Sequence, residues 1–127
     1  MNIEIRKARK QDTPAIKRLI RAYPDQLMQT HLPHSSEFFV ALLSDKIIAC
    51  CALAVYSKRL AEVRSLAVAE AYKGNGVGPK LIEACLKKAR EKKIHEVLAI
   101  TGAVETFEKQ GFASFKGEKI ALLKVLD

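Results

Sequence analysis

Residues 61–90 read AEVRSLAVAEAYKGNGVGPKLIEACLKKAR, and this stretch decides the fold. Residues 61–68 favour a β-strand, a glycine-rich turn follows, and apolar residues then recur at helical spacing from Gly78 to Ala89. Glycines let backbone N–H groups turn toward one point and let a bulky anion come close. The first turn of a helix adds unpaired N–H groups and the positive end of the helix dipole. The stretch therefore predicts a pyrophosphate site, with Lys73 at its lip as an additional positive charge.

Two better-known glycine motifs do not fit this turn. A P-loop is excluded because no Gly-Lys-Ser or Gly-Lys-Thr ends it. A dinucleotide fingerprint is excluded because the chain does not open with a β-α-β unit and no acidic residue closes a second strand as the ribose ligand would. Taken alone, Gly74, Gly76 and Gly78 remain compatible with a tight loop that binds nothing.

The rest of the chain alternates short strands with two further helices. Asp12 followed by Thr13 and Pro14 favours a helix start, since aspartate caps helices and proline is tolerated in the first turn. Further strands are predicted around Ile3 and Ile5 and at residues 38–43, 47–56, 96–100, 112–115 and 120–125, and a third helix at 104–110. The predicted order is β-α-β-β-β-α-β-α-β-β, a mixed central sheet of the α/β (α+β) class with helices on both faces.

The length of the chain indicates one domain over residues 1–127, because no repeat, low-complexity tract or linker interrupts it. The longest apolar run, residues 47–56, is too short to cross a bilayer. The charged N-terminal residues have no apolar run behind them, unlike a secretory signal. We therefore expect a cytoplasmic protein with no membrane partner.

The composition narrows the function classes. The net charge of +8 attracts polyanions, which include both nucleic acid and phosphorylated cofactors. Nucleic-acid binding is disfavoured because tryptophan is absent, aromatic residues are scarce, and no recognised DNA- or RNA-binding motif occurs. The three cysteines and three histidines lack regular ligand spacing, so neither a disulfide framework nor a metal site is expected.

Beyond its glycines, the quoted segment resembles the cofactor motif of the GNAT superfamily of N-acetyltransferases. Residues 73–78 are similar to that family's pattern of Arg or Gln, two residues, Gly, one residue, then Gly or Ala, with Lys73 as a departure in the first place. The resemblance extends over nearly the whole chain. Within the superfamily, the chain is most similar to the acetyltransferase domain of N-acetylglutamate synthases. That similarity rests on residues 19–21, 32–35, 49–53 and 61–68.

The resemblance implies that acetyl-CoA is the cosubstrate and that no metal takes part. The backbone of residues 74–78 would hold the pyrophosphate, and residues 66–68 match the place where the central strand splays and pairs with the pantetheine arm. The Leu66 N–H would face the thioester oxygen and stabilise the charge that builds there. The implied cofactor-binding residues are Leu66, Ala67, Val68, Lys73, Gly74, Asn75, Gly76, Val77 and Gly78.

The implied catalytic residues are Glu62 and Leu66. In several GNAT branches a glutamate at the position of Glu62 accepts the amine proton through water, and this step is needed because an ammonium is not a nucleophile. Two alternatives stay open for Glu62: it could be an exposed strand residue without a catalytic role, or it could form an ion pair with Arg64.

The acid that protonates the leaving thiolate is not evident. Phe107 stands where the superfamily often has a tyrosine, so either the thiolate leaves unassisted, as its pKa near ~8.5 allows, or another group such as Tyr56 or Tyr72 assists.

The acceptor is implied by Arg21, which matches a synthase arginine associated with the amino-acid carboxylate, and a guanidinium suits that group well. Arg21 is also compatible with a solvated charge on the first helix. His34 replaces a second basic residue of the synthases, and Glu118 would repel a carboxylate, so glutamate itself is not indicated. The expected reaction is direct attack by the primary amine of an amino acid or another small molecule.

Three rival hypotheses remain open from the sequence. The chain could acetylate lysines or N-termini of proteins, it could bind CoA without catalysis, or its charge could serve nucleic-acid binding, which we disfavour. The resemblance also implies a homodimer, since GNAT domains often pair through their C-terminal strands.

Overall fold

The computed structural model describes residues 2–114, Lys124 and Leu126. The strands are β1 (Glu4–Lys7), β2 (Phe38–Leu43), β3 (Lys46–Val55), β4 (Leu60–Val68) and β5 (Glu96–Leu98). The helices are α1 (Thr13–Arg21), α2 (Val77–Glu91) and α3 (Val104–Glu108). Short 3-10 turns occupy Lys10–Asp12, Ser35–Glu37 and Glu70–Tyr72. None of the helices in this described part is long and apolar enough to cross a membrane.

Within the described residues, the five strands form one sheet in chain order, with β1 and β5 as its outer members. Neighbouring strands are antiparallel except β4 and β5, which are parallel. A parallel neighbour needs a crossover, and α2 supplies it. Ser44 and Asp45 join β2 to β3 with φ angles of 49° and 66°, which is the backbone that a two-residue hairpin turn needs to match the strand twist.

Each face of the sheet carries a helix layer. On one face α1 packs Ile16 and Ile20 against the sheet, and on the other α2 packs its apolar stripe together with Phe107 of α3. Successive residues of β3 serve the two faces in turn, since Cys50 and Ala52 join the α1 cluster and Cys51 and Leu53 the α2 cluster. This two-sided burial explains why β3 is a nearly continuous apolar run.

The predicted class, a mixed sheet with helices on both faces, is confirmed, and the first eight elements follow the predicted order. The strand predicted at 96–100 is shorter, because β5 leaves β4 after Leu98. Residues 112–114 of the next predicted strand have no regular secondary structure. Phe115 lies outside the described residues, as does the strand predicted at 120–125 apart from Lys124.

Asp12 precedes α1 as predicted, but its carboxylate does not cap that helix. It instead accepts the Arg9 N–H at 2.7 Å and the Arg6 guanidinium at 2.8 Å. The hydrogen bond to Arg6, opposed by burial, lowers the pKa of Asp12. Asp12 therefore ties the start of α1 to β1, a contact that local sequence did not indicate.

Candidate active site

A β-bulge in β4 reorganises the strand that the sequence singled out. Cys50 pairs with Ala67 and Ala52 pairs with Arg64, so Cys51 alone faces two residues of β4, Ser65 and Leu66. Ser65 has a φ of 58°, as expected for the irregular backbone of a bulge. The extra residue changes which side chains face which helix layer.

The bulge lets β4 serve both faces of the sheet. Ahead of it, Ala61 and Val63 join the α2 cluster, and beyond it Leu66 and Val68 do so, although strict alternation would have turned them to the other face. Ala67 joins the α1 cluster. Leu66 thereby packs on the same side as the glycine turn, which is where the sequence analysis expected the cofactor.

Next to the bulge, strands β4 and β5 separate. Within the described residues, β5 pairs with β4 only through Leu60, Ala61 and Glu62. The second half of β4, which contains residues 66–68, has no β5 partner, and its edge is available for another extended chain. Glu62 is the last paired residue and marks the point where the two strands separate.

The glycine turn prepares the N-terminus of α2 for an anion. Gly74 and Gly76 have φ angles of 81° and 77°, and Gly76 is the N-cap, so glycine is needed at both positions. Across residues 2–114, no acceptor is found for the backbone N–H groups of residues 74–78. The Asn75 amide secures the turn from within, donating to the carbonyl of Tyr72 at 3.1 Å and of Lys73 at 3.3 Å. These groups fit a pyrophosphate.

Gly78 adds a second indication of a close ligand. A Cβ there would meet only the Leu66 Cδ2 atom, at an ordinary 3.8 Å, and Gly78 is not among the residues with positive φ. Neither packing nor backbone conformation within the described chain requires glycine at this position, whereas close approach of a bound group would.

Lys73 is held at the lip of the turn by two neighbours. Its Nζ forms an ion pair with Glu70 at 3.1 Å and lies 4.3 Å from the centre of the Tyr23 ring. The Glu70 hydrogen bond is the main reason why the pKa of Lys73 is raised, so the ammonium stays charged. Tyr23 also donates its hydroxyl to the Val68 carbonyl. The local sequence does not indicate this link, because helical periodicity does not show which strand residue a side chain contacts.

Glu62 lies on the α1 side of the sheet, half-buried. Its Oε1 accepts a hydrogen bond from the Tyr56 hydroxyl. Arg64, the next residue on that face, has its Nη2 3.3 Å from the sulfur of Met28. No ion pair between Glu62 and Arg64 forms in the described structure, so the alternative that they are partners gains no support.

Arg21 lies at the C-terminal end of α1, exposed. It lines a cavity of about 230 Å³ with Lys17, Ile20, Gln29 and Leu32. No residue of β4 lines this cavity, so the structure does not bring Arg21 and Glu62 into one pocket.

Residues 22–34, which follow α1, contribute Gln29 and Leu32 to the opposite wall of the Arg21 cavity. Gln29 Nε2 anchors them, 3.0 Å from the Ile20 carbonyl and 3.0 Å from that of Leu27. A wider, open cleft of about 500 Å³ continues from the Arg21 cavity toward the start of α1. Its lining is Lys10, Thr13, Lys17, Gln29 and residues 31–35, which include no carboxylate.

Phe107, where a tyrosine was sought, is buried and meets Phe112 edge to face at 5.2 Å. It packs the core and has no proton to donate.

The three cysteines are free and buried, and burial raises the pKa of Cys50 to about 12, which disfavours a reactive thiolate. Among the residues described, no group of three or more His, Cys, Asp or Glu side chains could hold a metal ion.

Comparison with known proteins identifies the family. The acetyltransferase (GNAT) family matches residues 3–112. An uncharacterized N-acetyltransferase of Chlorobaculum tepidum is 32% identical over 120 residues, which cover 90% of this chain and 77% of that protein. An amino-acid acetyltransferase of Mycobacterium tuberculosis is 32% identical over 124 residues, covering 91% of this chain and 71% of that protein. The chain belongs to the GNAT acetyltransferase family.

Solved structures agree in fold. A Mycobacterium tuberculosis protein in complex with CoA and NLQ superposes with a TM-score of 0.84 at 32% identity, covering 93% of this chain and 76% of that chain. N-acetylglutamate synthase from Neisseria gonorrhoeae, complexed with coenzyme A and N-acetyl-glutamate, gives 0.78 at 27% identity, covering 87% of this chain and 28% of that chain.

These findings confirm the expected family and its similarity to N-acetylglutamate synthases. They also confirm the enzyme class, so the chain is an acetyl-CoA-dependent acyltransferase with acetyl-CoA as its cosubstrate.

Proposed function

We propose that this chain transfers the acetyl group of acetyl-CoA to the primary amine of a free amino acid or a similar small carboxylated amine. The observation that carries the proposal is the position of Glu62, at the point where β4 and β5 separate and four residues before Leu66. A base is thereby combined with an open strand edge, and the glycine turn lies at the far end of that edge. The amino-acid acetyltransferase of Mycobacterium tuberculosis supports the class of acceptor.

Binding of acetyl-CoA falls to the α2 side of the molecule. The amides of residues 74–78 receive the pyrophosphate, assisted by the charge of Lys73, because they have no other acceptor in the described chain. The pantetheine arm pairs with the edge of β4 over Leu66, Ala67 and Val68, which β5 leaves open.

The chemical step is a direct displacement. Glu62 takes a proton from the ammonium, directly or through one water, and the free amine attacks the thioester carbon. The Leu66 N–H stabilises the oxygen that becomes negative. A C–N bond forms, the C–S bond breaks, and the second amine proton passes to solvent. Because Phe107 cannot act as an acid, the thiolate leaves as an anion, which a thiol pKa near ~8.5 permits.

Arg21 is proposed to bind the carboxylate of the acceptor. It lines the 230 Å³ cavity together with Lys17, so two cations face one space whose lining holds no acidic residue. Glu62 does not line this cavity, and the acceptor is therefore expected to have a side chain of some length or to bind with movement of residues 22–34.

One observation favours a second candidate, which is acetylation of a protein. The 500 Å³ cleft beyond Arg21 is open and lined by Lys10, Lys17 and two histidines, so an extended acidic peptide would fit its charge. The non-catalytic CoA-binding module, suggested by Phe107 alone, is disfavoured because the chain belongs to an acetyltransferase family.

The remaining sequence predictions are part of the same proposal. We take residues 1–127 to act as one domain in the cytoplasm, with neither a membrane nor nucleic acid as partner, and with a second copy of the chain as partner in a homodimer.

The test is release of CoA thiol from acetyl-CoA in the presence of single acceptors. Free amino acids, polyamines, lysine peptides and acidic peptides with free N-termini form the panel, with acetyl-CoA alone as the blank. Amino-acid-dependent release supports the proposal, and release with acidic peptides alone transfers it to a protein substrate. Tight CoA binding without turnover on any acceptor would contradict the enzyme proposed here.

A further inference from the structure

Tyr56 lies beside Glu62 because of the strand register. Ala54 pairs with Glu62 and Val55 with Ala61, and the Tyr56 N–H donates to the Leu60 carbonyl at 3.0 Å, so the ladder continues one residue beyond β3. Residues two apart on a strand share a face, which puts Tyr56 diagonal to Glu62, within reach of an aromatic side chain. Ala54, directly opposite Glu62, offers only a methyl group.

The contact with Tyr56 occupies only one of the two carboxylate oxygens of Glu62. The Tyr56 hydroxyl donates to Oε1 of Glu62, and no further hydrogen bond to this carboxylate is found within residues 2–114. Arg64 directs its guanidinium to the sulfur of Met28. One carboxylate oxygen is therefore held in place, while the other keeps its capacity to accept a proton from an amine or a water.

Tyr56 is suited to act as a fixed donor. Burial, followed by its hydrogen bond to Glu62, raises the pKa of the Tyr56 hydroxyl, and the Arg64 charge opposes this to a smaller degree. Because the neutral form is favoured, the hydroxyl keeps its proton across the neutral pH range. The charged groups that face it are Glu62 and Arg64, both on β4, and the residues after α1 contribute the uncharged Met28.

We propose that Tyr56 is a positioning residue of this enzyme, holding the Glu62 carboxylate in one orientation so that its second oxygen accepts the amine proton. The inference rests on the proposed role of Glu62 as base and adds a residue that acts through it. A free glutamate side chain samples many rotamers, and fixing it in advance removes an entropy cost from the reaction.

A double-mutant cycle tests this role. Tyr56→Phe removes only the hydroxyl and is expected to lower kcat/KM about tenfold, as for other charge-assisted hydrogen bonds, with acetyl-CoA affinity unchanged. The loss is expected in kcat, with the KM for the acceptor unchanged, because Tyr56 is assigned a contact with the base and none with the acceptor. In the Glu62→Gln background, Tyr56→Phe should have no further effect. Ser114→Ala, which removes an exposed hydroxyl outside the proposed site, is the control and should change neither kcat nor KM.

The outcomes separate the two proposals. If Glu62→Gln alone leaves the rate unchanged, the base assignment fails and the role of Tyr56 fails with it. If Glu62→Gln slows the reaction but the two substitutions multiply, Tyr56 acts independently and the inference is overturned. A lowered unfolding midpoint with an unchanged kcat would make Tyr56 structural. A shift of the basic limb of the kcat/KM pH profile alone would make it the acid that protonates the thiolate.

Discussion

The two sides of this enzyme are built differently. The proposed cofactor side, residues 66–78, consists of backbone groups: an open strand edge, two glycines with positive φ and a helix N-terminus. The proposed acceptor side, α1 with residues 22–37, consists of exposed side chains such as Lys17 and Arg21 around an open cleft. Backbone geometry serves one constant ligand, while side chains that change without disturbing the fold set the acceptor. Glu62 lies between the two.

The sharpest test of this division is Glu62→Gln. Removing the base is expected to lower kcat about 100-fold, the usual scale of general-base catalysis, while the Kd for CoA stays constant because no cofactor contact is lost. Isothermal titration and steady-state rates measure the two quantities. Glu91→Gln, an exposed change of the same type at the end of α2, should alter neither, and weaker CoA binding in Glu62→Gln would argue against the separation.

A change confined to the acceptor side should affect only the acceptor. Arg21→Ala is expected to raise the KM for a carboxylated amine about 30-fold, the value of a charged hydrogen bond of about 2 kcal/mol, with the Kd for CoA unaffected. Arg18→Ala, one turn earlier on the same helix and outside both cavities, is the control. Equal effects of the two variants would show that Arg21 is only a solvated charge.

The reverse test alters the cofactor side. Gly76→Ala forces a side chain onto a residue with a φ of 77°, which costs roughly 1–2 kcal/mol for an ordinary residue. We expect CoA affinity to fall about tenfold as the turn distorts. Gly102→Ala introduces the same methyl group into open space without a positive φ and should bind CoA normally. Unchanged CoA affinity in Gly76→Ala would remove the turn from the site.

The smallest and most selective effect is expected for Gly78→Ala. The new methyl group would meet only Leu66, at 3.8 Å, and alanine has a higher helix propensity than glycine. The free energy of unfolding should therefore rise by roughly 0.5–1 kcal/mol. CoA affinity should nevertheless fall about fivefold as the methyl group crowds the pyrophosphate. Thermal unfolding with and without CoA measures both. A variant that is stabilised and binds CoA as well as the parent would place the ligand elsewhere.

Most of the fold was predictable because its signals are local. The apolar strands β2 and β3 and the strand–turn–helix unit around residue 76 follow from apolar runs and glycines, and their observed bounds differ from the predicted ones by a residue or two. Asp12 was harder to interpret, since a capping residue and an ion-pair partner of Arg6 look alike until β1 and α1 are packed together.

The candidate site was only partly predictable for the same reason. The residues of the glycine turn could be named from the sequence, whereas the contacts of Lys73 with Tyr23, and of Glu62 with Tyr56, join positions whose proximity depends on packing and strand register. For Arg21, the resemblance to a family suggested a role, but only the structure showed which residues line the same cavity.

By itself, the sequence determined the family, the order of the first eight elements and the place of the glycine turn, because glycines and apolar periodicity act over a few neighbouring residues. Only the tertiary structure decided where β5 separates from β4 and which hydroxyl contacts Glu62. It also decided the bulge at Ser65, which sets the faces of the sheet on which Leu66 and Ala67 lie. The physical reason is that strand pairing and burial join residues far apart in the chain, and their outcome depends on all the strands being assembled at once.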